Sequence, residues 1–325
     1  MNTDNLQKSI SVSIAIIRHQ NQILLGWRDQ KLAQGGCYEF PGGKFEQGET
    51  PEQAVIREVF EEVGIAVQPI KRFATFQHHY PDRLLTLFFI QCKVQDVGEL
   101  KRIDAGWHWI AQDGLQNYQF PAANQRIIER LTWSRQIAIL TDNSLNFKNQ
   151  DNKAIKSNVG ALYVRLSGDD FKQFVKHQAH LFEKKQLIVR WQDYLDLEQS
   201  LQEKTFAVHL NHAELAQLAQ AKLANEISYN ELSTSLQGKN LIAACHTELE
   251  IGYANAIGCD AIFLSPVHAT PTHLEQVGMG WQRFAQRATL ADMPVYALGG
   301  IQQDDLGIAQ HNKAYGIAGI RDFFD

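Results

Sequence analysis

The stretch from Gly43 to Ile65, GKFEQGETPEQAVIREVFEEVGI, constrains the fold most, because it spells a helix with both ends marked. Thr50 suits an N-cap, Pro51 suits the first helical position, and Gln53 stands where a capping box would close. Ala54, Val55, Val59 and Val63 recur at helical spacing and predict the buried face, while Gly64 predicts the stop. Glu58, Glu61 and Glu62 lie three and four residues apart, so their carboxylates share one face. Such a face repels itself unless it is solvated or holds a cation, and three glutamates alone leave both readings open. Hard oxygen ligands suit Mg²⁺, which keeps part of its water shell and takes up phosphate groups. Arg57 can orient a carboxylate through its planar fork. Gly42 and Gly43, just upstream, let the backbone approach a metal or a phosphate closely.

A chain of 325 residues is comfortable for two domains, and an apolar content of 44% lets each bury a core. The formal net charge of −5, with no basic tail, argues against a duplex nucleic-acid binder. It does not oppose a phosphate substrate, since a bound cation inverts the local field. Cys37, Cys92, Cys245 and Cys259 form no metal-binding spacing and read as free thiols of a reducing compartment. MNTDNLQKSI lacks the apolar core of a signal peptide, and no run approaches a membrane span. A cytoplasmic location is expected.

The first half reads as strands around the capped helix. Ile10 to Arg18 and Gln22 to Trp27 form a hairpin pattern, and Tyr38 to Gly43 runs into the glycine loop. Arg72 to Gln77, Leu84 to Val94 and Gly106 to Ile110 are further strands, and Asn124 to Leu131 is a closing amphipathic helix. A mixed sheet with the capped helix on one face is predicted.

Gly43, Glu49, Arg57, Glu58, Val59, Glu61, Glu62, Gly64 and Ile65 match every fixed position of the Nudix box, so this half resembles the Nudix hydrolases. With EFPGGKFEQGETPEQAVIREVFEEVGI, YPDRLLTLFF and FPAANQRII, residues 10–133 look like the MutT type, which clears 8-oxo-dGTP from the nucleotide pool. The resemblance implies an α/β/α sandwich and a small-molecule nucleotide substrate. It implies Mg²⁺-dependent (or Mn²⁺-dependent) hydrolysis of 8-oxo-dGTP to 8-oxo-dGMP and diphosphate, a mutation-avoidance role. Glu58, Glu61 and Glu62 would hold metal, with the carbonyl of Gly42 or Gly43 nearby. Glu58 is the first candidate for general base, and Arg57 orients the set. Arg28 and Phe40 would line the base pocket, Arg83 would approach the nucleotide, and Asn124 would read the purine edge, since an amide both donates and accepts. Phe40 could equally be core, Asn124 a helix cap, and Arg28 and Arg83 surface charges. The family places a further glutamate just before the tryptophan of the strand that reads GWHWI here. His108 occupies that position and becomes a catalytic candidate, with Glu99 as an outside source of the missing carboxylate.

After Trp133 the pattern changes. Apolar runs recur at Gln136 to Asp142, Ala161 to Ser167, Gln186 to Arg190, Phe206 to Leu210, Leu241 to Thr247, Ala261 to Val267, Pro294 to Gly300 and Tyr315 to Ile320. Helix-period segments such as Asp169 to Glu183, Ala213 to Ala224 and Glu248 to Ile257 lie between them, whereas NSLNFKNQDNKAIKSN is too polar and reads as a loop. Eight strands alternating with helices predict a (β/α)₈ TIM barrel. QIAILTD, FAVHLNHAEL, AACHTELEIGYANAIGCDAIFLSPVHATPTH and PVYALGGI make this half resemble thiamine-phosphate synthase and its TenI-like relatives. The expected organisation is therefore α/β throughout: a Nudix sandwich over 1–134 and a degenerate synthase-like barrel over 135–325. Gly299, Gly300 and Gly319 sit where barrel loops offer N–H groups to a phosphate, so a phosphorylated ligand is expected there. The synthase lysine after Thr-Pro-Thr is replaced by His273, and its two magnesium-binding aspartates fall near Trp191 and Glu214. His246, His268 and His273 lie at strand ends. Two rival readings stay open: Nudix hydrolysis of thiamine-pathway diphosphates such as a hydroxymethylpyrimidine diphosphate, and a barrel that senses a phosphate ligand and regulates the Nudix domain.

Overall fold

The computed structural model describes residues 8–31, 35–79, 83–103, 106–142, 154–166, 168–177, 183–224, 238–269 and 277–324. The chain forms two compact units, Met1–Trp133 and Ser134–Asp325.

The first unit is a mixed seven-stranded sheet. Strand β1 (Lys8–His19) pairs antiparallel with β2 (Gln22–Arg28), which also carries β3 (Cys37–Glu39) on its other edge. The expected single strand from Tyr38 is split: after Phe40 and Pro41, Gly42–Lys44 forms β4, antiparallel to β1. Helix α1 (Pro51–Val63) leads to the hairpin of β5 (Val67–His79) and β6 (Arg83–Val94), and β6 runs parallel to β1. Strand β7 (Trp107–Ala111) pairs with β2.

Alternation along β1 sorts the two faces. Ala15 and Ile17 join Leu24, Ile90 and Cys92 beneath Val55, Val59 and Val63 of α1, all essentially solvent-free. Ile14 registers with Phe89 on the opposite face. There Phe89 meets Phe76, and helix α2 (Gln125–Leu131) lays the guanidinium groups of Arg126 and Arg130 5.0 and 4.7 Å from the Phe76 ring. One helix on each face of a mixed sheet is the predicted sandwich.

The second unit is a closed parallel barrel in the order β10-β11-β12-β13-β14-β15-β8-β9. Its strands are β8 (Gln136–Thr141), β9 (Ala161–Arg165), β10 (Gln186–Arg190), β11 (Thr205–Leu210), β12 (Asn240–Cys245), β13 (Ala261–Leu264), β14 (Val295–Ala297) and β15 (Gly316–Gly319). Its α-helices among the described residues are α3 (Gly168–His177), α4 (Trp191–Leu195), α5 (Gln199–Lys204), α6 (His212–Leu223), α7 (Glu248–Ile257), α8 (Gly280–Ala288) and α9 (Leu306–His311). The strands are near-continuous apolar runs because a parallel barrel is buried on both faces. The polar connection expected as a loop falls largely on residues 143–153, which lie outside the described residues; Ile155 beyond them bridges to Phe324. Among the described residues no helix is long and apolar enough to cross a membrane.

Candidate active site

Helix α1 begins as its sequence dictates. Thr50 Oγ1 accepts from the Gln53 amide at 3.2 Å, and Gln53 Oε1 accepts from the Thr50 amide at 2.9 Å. Gly64 closes the helix in the left-handed region at φ 76°. Ser13, fully buried in β1, donates to the Pro51 carbonyl at 2.7 Å and ties the start of the helix to the sheet.

Arg57 organises the polar face. Its Nε and Nη2 donate to the two oxygens of Glu49 at 2.8 and 2.9 Å, a bidentate pair. Its Nη1 donates to Glu58 at 2.9 Å and to Glu61 at 3.2 Å, and Nη2 also reaches the Lys44 carbonyl at 3.0 Å. The guanidinium holds the Glu49 carboxyl down at about 2, against an ordinary 4.5.

Glu58 and Glu62 converge on the glycine loop. A methyl group built on Gly43 would lie 2.3 Å from the Glu58 carboxylate, so only glycine leaves room for it. Gly42, at φ 149°, donates its N–H to Glu62 Oε2 at 2.9 Å, and a methyl there would lie 2.2 Å from the Ser13 carbonyl. Desolvation raises the Glu62 pKa, and the charges of Glu58 and Glu39 raise it further, against the pull of the Gly42 amide. Carboxylates that repel one another beside a cramped carbonyl-bearing loop are a donor set that fits a hard cation. Among the described residues no three acidic, His or Cys side chains already close on one point, and Arg57 engages Glu58 and Glu61.

The remaining expected residues divide. Asn124 sits in the single turn Ala122–Asn124 before α2; it is 7% exposed, and its side chain makes no capping bond and has no hydrogen-bond partner among the described residues. A buried, unengaged amide is what base recognition needs. Arg28 pairs with Glu39 at 2.8 Å, across the β2–β3 ladder. Phe40 is enclosed by Phe89 and Phe120, with centroids 6.2 and 6.0 Å away. Arg83 stands exposed at the start of β6, next to residues 80–82, which are outside the described residues.

His108 is not brought to the glutamates. It registers with Leu25, whereas Trp107 and Trp109 pack against the α1 cluster and Trp107 Nε1 donates to the Glu62 carbonyl at 3.0 Å. Strand parity therefore turns His108 to the other face, and His108 is exposed there. Glu99 is also engaged elsewhere, accepting from the Ala66 amide at 3.0 Å beyond the helix stop. Glu39 went unrecognised in the sequence. The signal was its place one residue before Phe40-Pro-Gly-Gly, which the β2–β3 register turns into the partner of Arg28 and a neighbour of Glu62.

In the second unit, Gly299 (φ 97°), Gly300 (φ 68°) and Gly319 line a cavity of about 2010 Å³ at the C-terminal ends of the strands. His246 lines it too, its Nδ1 2.9 Å from the Ser265 carbonyl. His268 makes an edge contact with Trp281, and His273 lies outside the described residues.

A family model described as NUDIX domain matches residues 12–130, and one described as Thiamine monophosphate synthase matches residues 137–323. The 8-oxo-dGTP diphosphatase of Escherichia coli (strain K12) is 37% identical over 125 residues, which cover 38% of this chain and 97% of that protein. The enzyme of the same name from Haemophilus influenzae is 40% identical over 127 residues, 38% of this chain and 93% of that protein. A CTP pyrophosphohydrolase of Escherichia coli is 39% identical over 80 residues, 25% of this chain and 59% of that protein. The chain thus belongs to the Nudix family through its first unit and to the thiamine monophosphate synthase family through its second.

Proposed function

We propose that the first unit hydrolyses 8-oxo-dGTP to 8-oxo-dGMP and diphosphate in the cytoplasm, with Mg²⁺ (or Mn²⁺) as cofactor, and so removes a mutagenic nucleotide before DNA synthesis. The observation that carries this reading is the Glu49–Arg57–Glu58–Glu61 network on one helical face, with Glu58 and Glu62 set against Gly42 and Gly43. The near-complete coverage of two 8-oxo-dGTP diphosphatases supports the choice of substrate.

Glu58, Glu61 and Glu62, with the Gly42 carbonyl, would hold the metal. When bound, the metal neutralises phosphate oxygens and lowers the pKa of water. The chain's own groups do the rest. Arg57 fixes the rotamers of Glu58 and Glu61, so the carboxylates are pre-positioned. Glu58, against Gly43, is the candidate to take the proton of the attacking water. One phosphorus then gains the bond to the water oxygen and loses the bond to the bridging oxygen between the α- and β-phosphorus, giving 8-oxo-dGMP and diphosphate. Asn124 offers its amide to the purine edge, donating and accepting at once. Arg28, oriented by Glu39, flanks the base; Phe40 forms the wall behind it; and Arg83 approaches the nucleotide from the rim.

The deciding experiment is turnover of Glu61→Gln, an isosteric change at an exposed site. It is expected to lose at least about 100-fold in kcat with its melting temperature unchanged. Retained turnover would remove Glu61 from the metal set.

A further inference from the structure

The Asn124 side chain makes no capping bond, so its place is set by what holds the backbone on either side. On the C-terminal side that is α2. Its Ile127, Ile128 and Leu131 are buried, and its Arg126 and Arg130 lie on the Phe76 ring. On the N-terminal side it is residues 118–120, which run beside the end of β3. The Tyr38 amide donates to the Gln119 carbonyl at 2.8 Å. Side chains interlock on either side of that bond. Tyr118 meets Tyr38 edge-on at 5.0 Å and 83°, and Phe120 stacks on Phe40 at 6.0 Å and 22°. Alternate residues of an extended segment share a face, so Tyr38 and Phe40 of one run meet Tyr118 and Phe120 of the other. Glu39, between the first two, turns to Arg28 instead, and Gln119, between the second two, is exposed.

The contacts continue as a row of rings. Phe40 lies 6.2 Å from Phe89, and Phe89 lies 5.8 Å from Phe76, within the range of favourable aromatic pairs. The row therefore runs Phe120, Phe40, Phe89, Phe76, and ends at the guanidinium groups of α2. Both ends of the Asn124 turn are fixed on it, one through Phe120 and the other through Arg126 and Arg130. The half of the row at Phe89 lies on the sheet face opposite the α1 cluster.

From this arrangement we infer that Phe120 is a specificity-determining positioning residue: its ring, stacked on Phe40, sets where the Asn124 amide meets the purine edge. The inference rests on the reading of the first unit as an 8-oxo-dGTP hydrolase. The role needs no contact between Phe120 and the nucleotide. A hydrogen bond weakens steeply with angle, so an amide discriminates only when its turn is held in one place. Without the flat ring, the turn loses its spacing from Phe40 while α2 still holds its other end. The glutamates of α1 are held by Arg57 and the glycine loop, so the effect belongs in KM and in selectivity rather than in kcat.

The test is steady-state kinetics of the full chain in Mg²⁺ with 8-oxo-dGTP and dGTP. Phe120→Ala is expected to raise KM for 8-oxo-dGTP about tenfold, to keep kcat within about twofold, and to cut the preference over dGTP by about tenfold. Phe120→Tyr keeps the ring and should keep the parent preference. Phe120→Leu keeps an apolar side chain but not the flat face; it should show a partial loss, and it serves if the alanine variant does not fold. Phe120→Ala joined to Asn124→Ala should lose no more preference than Asn124→Ala alone, because both act through one contact. If the parent prefers 8-oxo-dGTP, three results would overturn the inference: an unchanged preference in Phe120→Ala and Phe120→Leu, losses that multiply in the double variant, or a fall in kcat at constant KM. A parent without that preference would instead remove the substrate reading, and with it the purine edge that Phe120 serves.

Discussion

At Glu49 a single ion pair links sequence spacing to a measurable pH dependence. Arg57 stands eight residues on, and the turn between them lets both guanidinium edges meet both carboxylate oxygens. The folded pKa, about 2, lies below the ordinary 4.5. The pair's contribution to stability is therefore complete above pH 4.5 and is lost as pH falls toward 2. Glu49→Gln is expected to lower Tm near neutral pH, and the gap from the parent should close as pH drops through that window; a gap independent of pH would refute the pairing. Gly43 makes the second residue-scale prediction. A Cβ there meets the Glu58 carboxylate at 2.3 Å, so Gly43→Ala should displace Glu58 and cost about 100-fold in turnover with little change in Tm. At Asn124, whose amide is buried and unengaged, Asn124→Ala should reduce the preference for 8-oxo-dGTP over dGTP. An unchanged ratio would take Asn124 out of the pocket.

Elements differ in how far their sequence reveals them. Helix α1 was legible from end to end because its signals are local: Thr50, Gln53 and Gly64 act within a turn of where they stand. Thr50→Ala should cost about 1 kcal/mol, measurable as a shift in the denaturant midpoint. Strand β7 was legible as a strand, but which side chains face α1 was not. Parity depends on the partner strand: pairing of Gly26 with Trp107 and Leu25 with His108 puts the tryptophans under the helix and the histidine outside. Arg28 and Glu39 met for the same kind of reason, through a β2–β3 register that no local spacing states. Asn124 showed the converse. Its position before α2 suggested a cap, whereas the structure buries its side chain without a capping bond.

Across the whole molecule, the eight apolar runs predicted closure of the barrel, because strands buried on both faces must be apolar throughout. The chemistry at its mouth was less legible. Asp193 and Glu214 are acids in the right neighbourhood, yet each is engaged by a neighbour, Arg190 or the α6 N-terminus. Residue type announces a possible ligand, and partners decide whether it is available. The central claim concerns the first unit, and its most direct test is a turnover assay of the full chain in Mg²⁺ with 8-oxo-dGTP, dGTP and hydroxymethylpyrimidine diphosphate side by side. The account predicts a strong preference in kcat/KM for 8-oxo-dGTP, with diphosphate and 8-oxo-dGMP as products. Preference for the pyrimidine diphosphate would contradict it and assign the Nudix unit to the chemistry of its barrel.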